Sequence, residues 1–151
     1  MIAHNKEAVT LSQWDALLLE SLRNFGWSED ELLRRVRAGE LPADDSQFQF
    51  DYSRLTELAG SHPSDFEQAV RQGYRIKYNT LRGIASWIRL ALGQEPQLLL
   101  EPGRESVICT LHAEEHARLA SVLSYGWVVR KDSSASPEEK TVYLIEPLVR
   151  G

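Results

Sequence analysis

Cysteine is nearly missing from this 151-residue chain: Cys109 stands alone, so no disulfide can form within it. No stretch approaches the roughly 20 apolar residues that cross a bilayer as a helix. Residues 1–10 lack the apolar run of a secretory leader, so the expected location is cytoplasmic, with no membrane contact. A glycine-rich phosphate loop, a G-x-S-x-G elbow and a dinucleotide fingerprint are all missing, which leaves the familiar nucleotide and hydrolase chemistries without a footing and implies no cofactor. Basic excess is lacking too. With 17 Lys+Arg against 22 Asp+Glu the formal charge is −5 and the pI about 5.4, which argues against a protein that coats nucleic acid by overall charge.

What is present is ordinary globular material, 42% hydrophobic and 26% charged. At this length about two thirds of the unfolded surface can be buried, enough for a core without metal or disulfide. The pattern is that of one compact domain over residues 1–151, with a helical part at 10–73 and an α+β part at 74–147.

Capping signals divide the helical part into four short helices. Thr10 stands three residues before Gln13, a reciprocal capping spacing, and Leu11, Trp14, Leu18, Leu22 and Phe25 follow at helical intervals up to Gly26. Ser28 with Glu31 opens a second helix that closes at Gly39; its acidic first turn and basic last turn complement the helix dipole. Phe48, Phe50 and Tyr52 alternate with polar residues, as in a short extended segment. Two further helices are expected at 53–59, before Gly60, and at 64–72, where Ser64 and Glu67 repeat the capping spacing.

After Gly73 the period changes. Tyr74, Ile76 and Tyr78 alternate with Arg75 and Lys77, a strand pattern with an aromatic and a cationic face. Asn79 is placed to cap a helix reaching Leu92. Pro102-Gly103 marks a hairpin turn between two apolar runs, and a helix at 112–124, a strand at 127–130 and a last strand at 141–145 complete the order β-α-β-β-α-β-β. Its first six elements match a ferredoxin-like antiparallel sheet covered by two helices. The alternative is a helix-turn-helix with a wing, built from the helices at 64–72 and 79–92, although the gap between them is long for such a turn.

Charge is the most uneven feature. Residues 1–68 hold 13 acids and 6 bases, residues 69–94 hold 5 bases and no acid, and residues 95–151 hold 9 acids and 6 bases. The basic run is Arg71, Arg75, Lys77, Arg82 and Arg89, interleaved with Tyr74, Tyr78 and Trp87. Three uses compete: internal neutralisation by the acidic parts, an acidic protein partner, or nucleic acid, whose phosphates meet cations while its bases stack on rings. An RNA-recognition-motif reading fails, because the third strand, 106–110, carries no aromatic residue. The reading carried forward is a non-enzymatic intracellular regulatory or adaptor protein that binds an acidic protein partner through these eight residues; a nucleic-acid-binding transcriptional regulator is the alternative.

Two further constellations carry less. His112, Glu115 and His116 meet the H-x-x-E-H spacing of a zinc hydrolase, yet the rest of that pattern is missing and a helix start capped by Thr110 explains the same residues. Cys109 lies three residues from His112, but its neighbours Val107, Ile108 and Leu111 mark it as a core thiol rather than a nucleophile.

Overall fold

The computed structural model describes residues 9–43, 50–131 and 141–148. Strand β1 (Val9–Leu11) precedes four helices, α1 (Gln13–Arg23), α2 (Glu29–Ala38), α3 (Ser53–Ser61) and α4 (Pro63–Gln72). Then come β2 (Tyr74–Ile76), α5 (Leu81–Trp87) continued by a π-helical turn over Ile88–Leu92, β3 (Gln97–Leu99), β4 (Ser106–Leu111), α6 (Ala113–Val122), β5 (Trp127–Lys131) and β6 (Thr141–Pro147). The class is α+β, and the expected order of elements after Gly73 is present.

The strand pairing differs from the ferredoxin-like order. That order would place Tyr74–Ile76 in the middle of the antiparallel sheet, whereas β2 lies parallel to β1, with Leu11 opposite Ile76. The four-stranded antiparallel sheet runs β3-β4-β6-β5, so the last strand occupies the centre beside β4. The cause lies in residues 9–11, which the capping spacing assigned to a helix start. Thr10 is in β1, and Ser12 caps α1 by accepting from the Asp15 N–H at 3.0 Å. The helix-turn-helix alternative fails as well, because β2 separates α4 from α5.

Other boundaries move for similar local reasons. Proline favours the first helical position, and Pro63 takes it in α4, so Ser64 lies inside the helix rather than at its cap. Gly60 is carried within α3. Thr80 rather than Asn79 caps α5, accepting from the Gly83 N–H at 3.1 Å, and His112 rather than Thr110 is the cap of α6. The 28–39 helix is as read, with Gly39 in the left-handed conformation (φ 74°). So is the β3–β4 hairpin: Arg104 N–H reaches Glu101 O at 2.9 Å across Pro102-Gly103, and Gly103 has the positive φ (82°) such a turn requires.

Helix α1 is the hub. Ala16, Leu17, Leu18, Leu19 and Glu20 are all buried, and five consecutive residues point in every direction around a helix, so its middle has no solvent face. α3, α5 and the π-helical turn pack on it. The core continues through Phe66, Ala69 and Val70 of α4, Ile84 and Ile88, and the inward residues Val107, Cys109, Leu111 and Ile145 of the sheet.

One charge lies inside this core. Glu20 is 1% exposed, and its Oε2 accepts the Tyr74 hydroxyl and an Arg118 N–H, both at 2.6 Å. The Trp87 indole N–H in turn donates to Tyr74 Oη at 2.7 Å, and the Arg118 guanidinium lies 5.2 Å from the centre of the Trp87 ring. Burial, and then the Glu20 charge, push the Tyr74 phenol well above its ordinary value of 10.0. An unfolded phenol ionises near pH 10 while this one stays protonated, so the stability it contributes is complete below about pH 10 and is lost as pH rises further.

Removing the acceptor strands two donors and leaves two half-buried cations, Arg118 and Arg23, without their carboxylate. Glu20→Ala is therefore expected to cost about 3–5 kcal/mol in denaturant unfolding, and Tyr74→Phe about 1–3 kcal/mol. In an absorbance titration of the folded protein, Tyr74 should ionise only as the chain unfolds, and Tyr74→Phe should flatten the loss of stability above pH 10.

Candidate functional site

The basic run does not form one surface. Arg71, on α4, reaches Asp30 at 2.6 Å, Glu67 at 3.0 Å and Glu29 at 3.7 Å, so the acidic start of α2 neutralises it. Asp30 and then Glu67 hold its guanidinium above its ordinary pKa. Arg89 pairs with Glu95 at 2.9 Å. Tyr74 and Trp87 are buried in the Glu20 cluster, which removes them from any partner surface; the aromatic face of β2 turns inward because α1 and α5 lie behind it. Phe50, like Trp87, is buried and adds no aromatic to a surface patch. Phe50 is buried edge-on against Trp14 with ring centres 5.1 Å apart, and Phe48 lies outside the described residues.

Arg75, Lys77 and Tyr78 do come together. They line two adjoining cavities between the exit of β2 and the turn that links α6 to β5. The first, about 540 Å³, lies between Lys77, Tyr78 and Asn79 on one side and Tyr125, Trp127 and Pro147 on the other. The second, about 260 Å³, continues between Arg75, α6 and β5, lined by His116, Leu123 and Val129 among others. Ser124, Tyr125 and Trp127 border both, so the two read as one groove. Among the described residues, no Asp or Glu lines either cavity. Arg82 is exposed on α5 and borders neither.

Each wall has a local cause. Arg75 points away from the buried face of β2, donates to the Leu123 carbonyl and places its guanidinium 4.4 Å from the Tyr125 ring centre. Asn79, 2% exposed, accepts the Ser124 N–H through Oδ1 at 2.7 Å and donates through Nδ2 to Gln13 Oε1 at 3.3 Å. Gln13 also accepts the Thr80 N–H at 2.9 Å, a contact possible because Gly83 leaves no side chain in its way. The α6–β5 turn is thus tied to β2 and to α1. The rings that remain outside are large: Tyr125 is 81% exposed and Tyr78 74%. Lys77 is exposed and has no ion pair among the described residues.

The sequence reading missed Ser124, Tyr125, Trp127 and His116. A usable signal was there: Tyr125 stands beside Gly126 in a turn, where an aromatic has no core to fill.

The other candidates resolve into structure. The Glu115 side chain accepts the His112 N–H at 2.9 Å and is approached by Gln94 Nε2 at 3.1 Å, while His116 stacks on Tyr143 at 4.4 Å. Among the described residues no group of three His, Cys, Asp or Glu is placed to hold a metal. Cys109 is buried, and loss of solvation pushes its thiol up to about 11.

Asn79→Ala leaves the half-buried Ser124 N–H without its partner. It should cost about 1–3 kcal/mol in denaturant unfolding, with faster hydrogen exchange in residues 123–126, whereas Asn79→Asp, which keeps the acceptor, should retain most of the protection. Comparison with protein-family models, with curated proteins and with solved structures finds no match to this chain.

Proposed function

We propose that the protein is a non-enzymatic intracellular regulatory or adaptor protein, and that it binds an acidic protein partner in the groove bounded by Arg75, Lys77, Tyr78, Tyr125 and Trp127. The observation that carries this reading is a groove in which the described residues supply two cations and no carboxylate, in a chain of net charge −5. A surface of that sign on an acidic molecule attracts acidic groups locally while the rest of the chain repels them, which favours one docking site over general adhesion. Its residue types support a protein ligand, since Tyr, Trp and Arg are what concentrate binding energy at protein interfaces, and here two exposed Tyr stand beside a half-buried Trp127 and Arg75.

A second reading has one observation behind it. Tyr78 and Tyr125 beside Lys77 could stack bases of single-stranded nucleic acid. Magnitude weighs against it: two cations neutralising two phosphates give a salt slope of only about −1.4 on single strands, far below that of proteins held by many phosphate contacts. The five-cation run would have given more, but Arg71 and Arg89 are already paired.

Arg75 holds the Leu123 carbonyl, so Lys77 and Tyr125 are the cleaner positions to change. Lys77→Glu with Tyr125→Ala should leave the thermal midpoint within a few degrees of the parent, since exposed substitutions shift stability by about 0.5 kcal/mol or less. The same double variant should lose binding to immobilised polyglutamate. Unchanged binding would count against the groove. Tighter binding of labelled single-stranded DNA or RNA than of polyglutamate, abolished by the double variant, would replace the protein partner with nucleic acid.

A further inference from the structure

β5 is an edge strand, next to β6 on one side and with no strand paired on the other among the described residues. Leu148 N–H donates to the Gly126 carbonyl at 2.8 Å, and Trp127 lies opposite Pro147. In an antiparallel ladder hydrogen-bonded pairs alternate with non-bonded ones. Val128 and Arg130 therefore bond to β6, while Trp127, Val129 and Lys131 direct their main-chain groups outward. The Trp127 N–H is taken by Ser124 O at 3.3 Å. That leaves the Trp127 carbonyl, both main-chain groups of Val129 and the Lys131 N–H along the free edge. The smaller cavity runs beside this edge, between β5 and the Ala120–Leu123 end of α6, and opens at the start of β5 toward Arg75 and Lys77.

We infer that the groove takes an extended segment of a partner protein as an added strand on β5. Main-chain hydrogen bonds to Val129 and Lys131 hold it, alternate apolar side chains enter beside Leu123 and Val129, and an Asp or Glu at the end nearest Trp127 meets Arg75 and Lys77. This rests on the acidic-partner reading and specifies how the segment binds. Edge strands pair with extended peptides through main-chain groups, and pockets beside them select side chains at every second position. Charge complementarity selects the occupant: among the described residues the only ionisable side chains lining the two cavities are Arg75, Lys77, His116, Tyr78 and Tyr125.

The test is a selection from a displayed library of random octapeptides against the full chain, followed by hydrogen exchange with a synthetic copy of the best binder. Enriched sequences should carry Asp or Glu. On binding, the Val129 and Lys131 amides should slow, whereas those of Val128 and Arg130, already bonded to β6, should change little. Lys131→Pro, which removes one outward N–H at an exposed position, should weaken binding about three- to ten-fold, and N-methylation of alternate peptide residues should weaken it more.

Acidic binders that lose affinity with Lys77→Glu but leave the Val129 and Lys131 amides unchanged would overturn strand addition while sparing the acidic-partner reading. No enrichment, or enrichment of basic sequences, would overturn both. A concentration-dependent dimer dissolved by Lys131→Pro would show that a second copy fills the edge, which also sinks the proposal.

Discussion

A single buried carboxylate sets the relative positions of four elements. Taking the Glu20 charge out of water costs several kcal/mol; Arg23 on the same helix, 3.5 Å away, offsets part of that cost, and the rest is offset when Tyr74 from β2 and Arg118 from α6 reach the same oxygen, with Trp87 from α5 holding the Tyr74 hydroxyl from behind. A packing that slid α6 along the core would keep most of its apolar contacts, because leucine and valine surfaces fit one another in many ways. It would nevertheless leave Glu20 facing its partners at the wrong distance. The polar cluster therefore discriminates between arrangements that apolar burial alone leaves nearly equal in energy.

The groove inherits this arrangement. Arg75 follows Tyr74 in β2 and points the opposite way, as strand geometry requires, so fixing Tyr74 inward aims Arg75 outward toward the end of α6. Arg118 anchors the middle of α6, and the Leu123 carbonyl and Ser124 N–H at its end are held by Arg75 and Asn79. The helix is gripped in its middle by Glu20 of α1 and at its end by Arg75 and Asn79 of one short segment, 74–79. The turn carrying Tyr125 is thereby held against β2 with its ring in solvent, and a preorganised aromatic wall loses less entropy on binding than a mobile one.

Much of the fold was legible because it rests on local rules. The cap at Ser28, the stop at Gly39 and the turn at Pro102-Gly103 follow from the conformations of a few adjacent residues, and they hold. The strand order was not legible, since pairing depends on a partner distant in sequence: Leu11 and Ile76 meet across 65 positions, and three residues of β1 are too few for alternation to separate a strand from a helix start. Glu20 was overlooked for a related reason. A glutamate in a helix ordinarily faces water, and only the preceding Leu17, Leu18 and Leu19, which leave the helix no polar side, hint otherwise. Trp87 and Tyr74 were misplaced on the surface because their polar atoms find partners 13 residues apart and on another element.

The charge run shows the same limit from the other side. Counting along the chain isolates five bases without an acid between them, but neutralisation acts through space. Arg71 meets Asp30 across 41 positions, and Arg89 meets Glu95 just beyond the run. Once these pairs form, the cations left at the groove are the two that alternate on β2, Arg75 and Lys77, where the strand's outward face and an acid-free turn coincide. Two charges at one end of a free strand edge make a poor track for a polyanion, whose affinity grows with each phosphate neutralised. They suit a short extended segment better, since its main chain supplies the affinity and a single acidic side chain sets the register. The number of free cations, rather than the number in the sequence, decides which kind of partner the groove can hold.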